Sequence, residues 1–196
     1  AWGSGCVGAG RRRWGWQNAA DYPAMARRRL IVRLRNWIGD VVLGVPLLQR
    51  LDDAGFDLQL VGKGWAADLL AGHGWRVEPL AGDLPGRVAQ LRRLREQACH
   101  DDPGFDRRLN ALVLPYSFSS ALHLRLAGLR AVGHGSEGRS LLLSKAVDRR
   151  HDVHEMAVYA DLGSALLGHG APLPDRVALR TTAAHDEQAA AVRRQL

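Results

Sequence analysis

The regular part of the chain opens with a short apolar run, followed by apolar positions at helical spacing. Leu30–Leu34 is apolar with β-branched residues, which is typical of a buried strand. A polar loop covers Arg35–Asp40, and apolar residues then recur every three or four positions through Leu51, which predicts a helix. Strand, loop and helix in this order form the first unit of a doubly wound parallel sheet. Ligands of such sheets bind where strand carboxyl ends meet helix N termini.

The alternation of strand and helix patterns continues to about residue 167. Further strands are predicted at Asp57–Val61, Trp75–Leu80, Ala111–Leu114 and Ala131–Gly133. Helices are predicted at Trp65–Leu70, Leu84–Ala98, from Phe118 through Leu129, and at Val153–Leu167. Segments 100–105 and 134–144 are predicted to be loops, the second of them rich in glycine. The whole pattern predicts an α/β protein with a Rossmann-like, doubly wound parallel sheet.

Composition and charge narrow the class of protein. The chain of 196 residues is 46% hydrophobic and 24% charged, which is ordinary for a globular domain. Its net charge is +7, but residues 1–29 carry +5 of this, so the rest is only mildly basic and argues against a nucleic-acid partner. The two cysteines, Cys6 and Cys99, form no disulfide framework, which favours a cytoplasmic location.

The ends of the chain differ from its middle. Residues 1–24 have no hydrophobic period, and Arg11–Arg13 with two tryptophans could bind nucleic acid or a membrane surface. We favour the alternative that 1–24 is a disordered or non-native leader, with the folded domain spanning 25–171. Residues 172–196 are predicted to form a linker and the start of a missing second domain, with a helix from Asp186.

The loop after the first predicted strand supplies the first candidate site residues. Gly39 lets a ligand approach the backbone closely, and Asp40 lies beside it at the helix N terminus. Asp40 could act on a ligand or simply cap the helix. The loop contains neither the dinucleotide-binding nor the P-loop glycine pattern, so neither kind of nucleotide site is predicted.

Other candidates follow later strands. Lys63 comes just after the second strand and could bind a phosphate or carboxylate, or simply be solvated. Ser117 and the neighbouring hydroxyls either cap the next helix or face a ligand. Arg139 lies in the glycine-rich loop, where a guanidinium suits bidentate contact with an anion. The segment His151–Glu155 matches no zinc-ligand spacing, so no metal site is predicted.

Three segments together resemble one enzyme family. Arg35–Val42, Leu114–Leu122 and Gly138–Leu143 resemble the lipopolysaccharide heptosyltransferases of glycosyltransferase family 9, and most of all the heptosyltransferase II branch. The resemblance covers about 28–168 in the order and spacing of the family. Tyr116 departs from the pattern, since asparagine is common at this position in that branch.

The resemblance implies a fold, an activity and a set of site residues. It implies that the chain is the N-terminal, acceptor-binding half of a two-domain GT-B enzyme whose other half binds the donor, ADP-heptose. Heptose would pass with inversion to the lipid A–Kdo inner core at the cytoplasmic face of the inner membrane, without metal or other cofactor, and this half alone would be inactive. Asp40 would be the catalytic base. Substrate contacts would come from Asn36, Gly39, Lys63, Ser117, Ser119 and Arg139.

Two other functions remain open on the sequence. The chain could be a non-catalytic α/β module that binds an anionic glycolipid or a sugar phosphate. It could also be a nucleic-acid-associated protein that acts through the arginines and tryptophans of residues 1–24.

Overall fold

A computed structural model describes residues 27–136, 138–170, 174 and 176–195. The predicted leader, with Cys6 and Arg11–Arg13, lies outside the described residues.

Six parallel strands form one sheet in the order β3-β2-β1-β4-β5-β6. This is the Rossmann order, so the predicted doubly wound sheet is confirmed. The strands are β1 Arg28–Arg33, β2 Phe56–Gly62, β3 Arg76–Pro79, β4 Ala111–Val113, β5 Ala131–His134 and β6 Lys145–Val147. The helices are α1 Ile38–Asp53, α2 Trp65–Leu69, α3 Leu84–Asp101, α4 Phe118–Leu126, α5 Glu155–Leu167 and α6 Ala183–Arg193.

Helices cover both faces of the sheet and create two hydrophobic clusters. In β1, Leu30 and Val32 face the cluster under α1 and α5, while Ile31 faces the cluster under α3 and α4. Alternate strand residues point to opposite faces, so a strand buried on both sides is apolar throughout. This explains why β1 lacks a polar face.

Several element boundaries differ from the sequence prediction, and one strand was not predicted. The helix α3 runs on to Asp101, so the start of the predicted loop is helical. The helix α4 ends before Leu129 because Gly128 takes a left-handed φ of 80°. The strand β6 was missed by the sequence pattern because it has three residues and none of them is buried. The last helix begins at Ala183 instead of Asp186, with Thr182 and His185 forming a capping box.

The segment before α6 packs against the short turn Ala71–His73. The backbone N–H of Arg180 donates to Nε2 of His73 over 3.2 Å. A Cβ atom on Gly72 would lie 2.0 Å from the carbonyl oxygen of Arg180, so only glycine permits this approach. Across the residues that the structure describes, no helix has the length and apolar character needed to span a membrane.

Candidate functional site

Four of the predicted substrate-binding residues line one pocket at the carboxyl edge of the sheet. Asn36 follows β1, Lys63 follows β2, and Ser117 and Ser119 follow β4. The cavity has a volume of about 260 Å³ and also includes Arg33, Arg87, Ser120 and His123. We call it the carboxyl-edge pocket. Ligands of doubly wound folds bind at this edge.

The carboxyl-edge pocket is cationic. Arg33, Lys63 and Arg87 line it, and no carboxylate from the described residues does. The side chain of Lys63 forms no hydrogen bond or ion pair with any other described residue. The guanidinium of Arg87 is fixed by hydrogen bonds to the carbonyl oxygens of Ala81, at 2.9 Å, and Gly82, at 2.6 Å. Fixed and free cations that face one cavity favour an anionic ligand.

Arg33 lies in the floor of the carboxyl-edge pocket, with only 6% of its surface exposed. It donates from Nη2 to Oδ1 of Asn36 over 2.8 Å, and its Nε has no hydrogen-bond partner within the described ranges. Burial, helped by the charge of Arg87, lowers the pKa of Arg33 to about 10, so it remains a cation at neutral pH. Burial and the same two arginines lower the pKa of His123, which favours its neutral form. The sequence pattern missed Arg33 because it lies inside a buried strand.

The hydroxyls after β4 form a small cluster in the same pocket. Ser117 occupies the N-cap position of α4, but its side chain does not cap the helix. Its Oγ lies 2.7 Å from Oγ of Ser120 and accepts a longer hydrogen bond from Ser119. Of the two interpretations of Ser117, side-chain capping is therefore wrong, and its contact with a ligand stays a prediction.

Asp40 lies in the first turn of α1, four residues after Asn36, and does not itself line the carboxyl-edge pocket. The N-cap residue is Trp37, so Asp40 does not cap the helix. Its Oδ2 accepts a hydrogen bond from Nε of Arg35 over 3.1 Å, and 22% of its side chain is exposed. A carboxylate in this turn is stabilised by the helix dipole. The neighbouring Gly39 is exposed, and a Cβ there would meet no atom within 4 Å.

A cluster that sequence reasoning missed surrounds Tyr116. Two guanidinium groups stack on the Tyr116 ring, with Cζ of Arg35 at 4.2 Å and Cζ of Arg149 at 4.1 Å from the ring centroid. Its hydroxyl donates to Glu155, which also pairs with Arg149 at 3.4 Å. Burial and Glu155 raise the pKa of Tyr116 to about 12. No local pattern in the sequence relates these residues, since they come from four separate segments.

Arg139, which the sequence places in a glycine-rich loop, lies inside the protein. It belongs to a short 3-10 turn, Arg139–Leu142, and is fully buried. Its Nη1 donates to the carbonyl oxygen of Pro115 over 2.7 Å. The apolar residues Leu142 and Leu143 pack into the cluster under α3 and α4, which carries this turn inward. Contact of Arg139 with a ligand remains a prediction, and its position indicates support of the loop after β4.

Two other cavities contain none of the predicted site residues. The larger, of about 630 Å³, lies at the opposite edge near Arg29 and Asp101. The other, of about 360 Å³, lies beyond β5 and β6 and is lined by Tyr116, Gly135, Ser136, Asp148, Arg149 and His151. In the described part of the chain, no group of three or more His, Cys, Asp or Glu residues could hold a metal ion.

Comparison with known proteins identifies the fold. No protein-family model matches the sequence, and no curated protein matches it. The solved structure of E. coli ADP-heptose LPS heptosyltransferase II matches with a TM-score of 0.61 and 21% identity, over 84% of this chain and 50% of that one. A family 9 glycosyl transferase from Veillonella parvula matches with a TM-score of 0.62 and 14% identity, over 83% and 47%.

A third solved structure matches over a shorter part of the chain. It is the E. coli heptosyltransferase WaaC with ADP-2-deoxy-2-fluoro heptose, with a TM-score of 0.52 and 19% identity, over 76% of this chain and 50% of that one. The chain therefore spans about half the length of these proteins. At these identities the likeness establishes a shared fold.

Proposed function

We propose that this chain is the acceptor-binding part of an inverting glycosyltransferase. The observation that carries the proposal is the placement of Asp40, a partly exposed carboxylate that follows β1 at the same ligand-binding edge of the sheet as a cationic pocket. The fold shared with two heptosyltransferases and a family 9 transferase supports it. The segments around Asp40 and Tyr116 that resemble this family are the same segments that form the site.

The proposed reaction transfers heptose from ADP-heptose to a hydroxyl of the lipopolysaccharide inner core. Asp40 takes the proton of that hydroxyl while the oxygen forms a bond to the anomeric carbon, and the bond to the diphosphate breaks on the opposite face. ADP leaves with the electron pair of that bond. This displacement inverts the anomeric centre.

The donor would bind outside the described residues. The E. coli heptosyltransferase WaaC was solved with an ADP-heptose analogue, which supports a nucleotide sugar as the donor here. We propose that a second domain provides the diphosphate site. Stabilisation of the leaving group contributes a large share of the rate acceleration in such reactions. Because that site would belong to the second domain, the 196-residue chain alone should not transfer heptose.

The carboxyl-edge pocket would bind an acidic group of the acceptor. Arg33 and Arg87 provide fixed positive charge, and Lys63 has no other partner within the described residues. A Kdo carboxylate or an inner-core phosphate supplies the complementary charge.

We further propose that the pocket faces the cytoplasmic surface of the inner membrane. Trp37, Leu84 and Phe118 are exposed apolar residues, and each lies within two residues of a residue that lines the pocket. Apolar side chains around a cationic pocket suit the surface of an anionic bilayer that carries the acceptor.

The proposed activity is tested with the complete product of the native gene. The protein is incubated with ADP-heptose and Kdo-lipid A, ADP release is followed, and the acceptor is weighed by mass spectrometry. A gain of one heptose, matched by ADP release, is expected. An acceptor that binds tightly while no heptose is transferred would favour the non-catalytic binding module instead.

A further inference from the structure

The ring of Tyr116 joins the two sides of the site. Arg35, which belongs to the loop between β1 and α1 and pairs with Asp40, stacks on the ring. Arg149, which follows β6 and pairs with Glu155 at the start of α5, stacks on the same ring. The ring is therefore the contact between an ion pair from the first βα loop and an ion pair from the last part of the sheet.

The ring itself is held in place from three directions. Its hydroxyl donates to Glu155, and the ring of His134 packs edge-on with a centroid separation of 5.7 Å. The residue before it, Pro115, is fixed through its carbonyl by the buried Arg139. A ring fixed in this way is a rigid surface for a guanidinium.

We propose that Tyr116 is a positioning residue whose ring fixes Arg35, so that Arg35 in turn fixes the carboxylate of Asp40. This rests on the proposed function only in that Asp40 is the base. The argument for the positioning is geometric. Arg35 has an exposed side-chain fraction of 18%. It contacts the ring of Tyr116 and the carboxylate of Asp40, and Tyr159 lies close enough to interact with it electrostatically.

The chemistry explains what an aromatic ring does at this place in this chain. Arg35 and Arg149 are both cations, and each guanidinium carbon lies within 4.2 Å of the same ring centroid. An aromatic face carries partial negative charge, so it attracts both guanidinium groups at once. One such contact changes the population of the fixed arginine conformer by about 2- to 30-fold.

The test measures the order of Arg35 directly. In the 196-residue chain labelled with nitrogen-15, the Nε–H signal of Arg35 is assigned by its loss in Arg35→Lys. Its rate of exchange with water is then measured in the parent, Tyr116→Phe and Tyr116→Leu. We expect Tyr116→Phe to stay within about threefold of the parent because the stack remains, and Tyr116→Leu to exchange about tenfold faster.

Phe56→Leu is the matched control. The Phe56 ring carries another arginine, with Cζ of Arg28 4.3 Å from the ring centroid at the opposite end of β1, so its removal should leave the exchange of Arg35 unchanged. If Tyr116→Leu does not fold, Tyr116→Asn takes its place with the same expectation. Equal exchange rates in the parent and in the variant without the ring would overturn the proposal. Exchange in Tyr116→Phe as fast as in the variant without the ring would also overturn it.

A kinetic readout separates this proposal from the proposed function. In the complete gene product, loss of the ring should lower kcat about tenfold with little change in KM, and Phe should restore kcat. If Tyr116 had only a structural role, loss of the ring would lower thermal stability and leave the ratio of kcat to KM unchanged. That result would count against the positioning role. If the parent transfers no heptose, the proposed function fails, while the exchange rates of Arg35 still decide whether Tyr116 positions it.

Discussion

Nε of Arg35 donates a hydrogen bond to Oδ2 of Asp40 over 3.1 Å, within the loop and first turn that follow β1. This contact holds the carboxylate of Asp40 at the carboxyl edge of the sheet without using it as a helix cap. Because the N-cap residue of α1 is Trp37 and the helix has no side-chain cap, the fold does not depend on a carboxylate at Asp40. Its chemistry can therefore be tested with little effect on stability.

Asp40→Asn should reduce turnover of the complete enzyme while leaving the fold intact. The amide cannot accept the proton of the acceptor hydroxyl, so kcat should fall by about 10²–10⁴ with little change in KM. The lost ion pair with Arg35 should cost at most about 1 kcal/mol of stability. The measurements are steady-state kinetics and thermal unfolding.

Asp53→Asn is the control for that substitution. Asp53 is the last residue of the same helix and is exposed, so the change should leave kcat unaltered. An Asp40→Asn enzyme with kcat within about threefold of the parent would show that Asp40 is not the base.

Lys63→Ala should weaken binding of the acidic acceptor. The ammonium group lies in the carboxyl-edge pocket and has no other described partner, so its loss should reduce affinity by about 1–3 kcal/mol. Isothermal titration calorimetry with Kdo-lipid A in mixed micelles measures this, and the loss should shrink at high salt. Lys145→Ala is the matched control. Lys145 is the only other lysine of the chain, and it donates to the carbonyl of Ala165 on the far side of β6. Equal affinities for both variants would exclude Lys63 from the site.

Arg139→Met should destabilise the protein. The substitution leaves the carbonyl of Pro115 without its buried donor, which should cost about 1–3 kcal/mol of unfolding free energy. Urea denaturation measures this free energy, and Arg125→Met on the exposed surface of α4 should cost far less. A variant with parental stability but weakened acceptor binding would restore the ligand-contact interpretation of Arg139.

Stability should fall in mild acid, partly through His73. Burial and the nearby Arg180 lower the pKa of His73 from its usual 6.5, although Asp52 opposes this. As the pH falls through 6.5 the unfolded chain therefore binds a proton before the folded protein does, so the unfolding free energy decreases.

His73→Gln should reduce that dependence on pH. Glutamine does not titrate and can still accept from the N–H of Arg180, so the change in unfolding free energy between pH 7 and pH 5 should be smaller. The free energies come from urea titrations at both pH values. The exposed His100→Gln serves as the control, and an equal reduction in both variants would contradict the assignment to His73.

Trp37→Ser with Phe118→Ser should weaken binding to anionic vesicles. Both side chains are exposed beside the carboxyl-edge pocket, and loss of two inserted apolar groups should reduce partitioning by about tenfold or more. Co-sedimentation with phosphatidylglycerol vesicles provides the measurement. Leu126→Ser is the control, because Leu126 is as exposed as Phe118 but lies at the opposite end of α4. Unchanged sedimentation of the double variant would place the membrane contact elsewhere.

The sequence by itself determined the layered fold. Apolar runs such as Leu30–Leu34 and the helical spacing after Asp40 depend only on local periodicity, so they predicted the strands and helices of the sheet. Asn36, Lys63 and Ser117 each follow a predicted parallel strand, so they were expected at the same edge of the sheet. The structure places them in one pocket there. Short or exposed elements such as β6 gave no such signal.

Tertiary structure alone decided how charged side chains are paired and buried. Arginine counts as polar in any sequence pattern, yet Arg33 and Arg139 are both buried. Neighbouring apolar residues carry the backbone of Arg33 into the sheet and that of Arg139 into the cluster beneath α4. The contact of Arg35 and Arg149 through Tyr116 joins segments that are far apart in the chain. Periodicity reports only which face of its own element a residue occupies, whereas partners across the fold depend on the packing of several elements together.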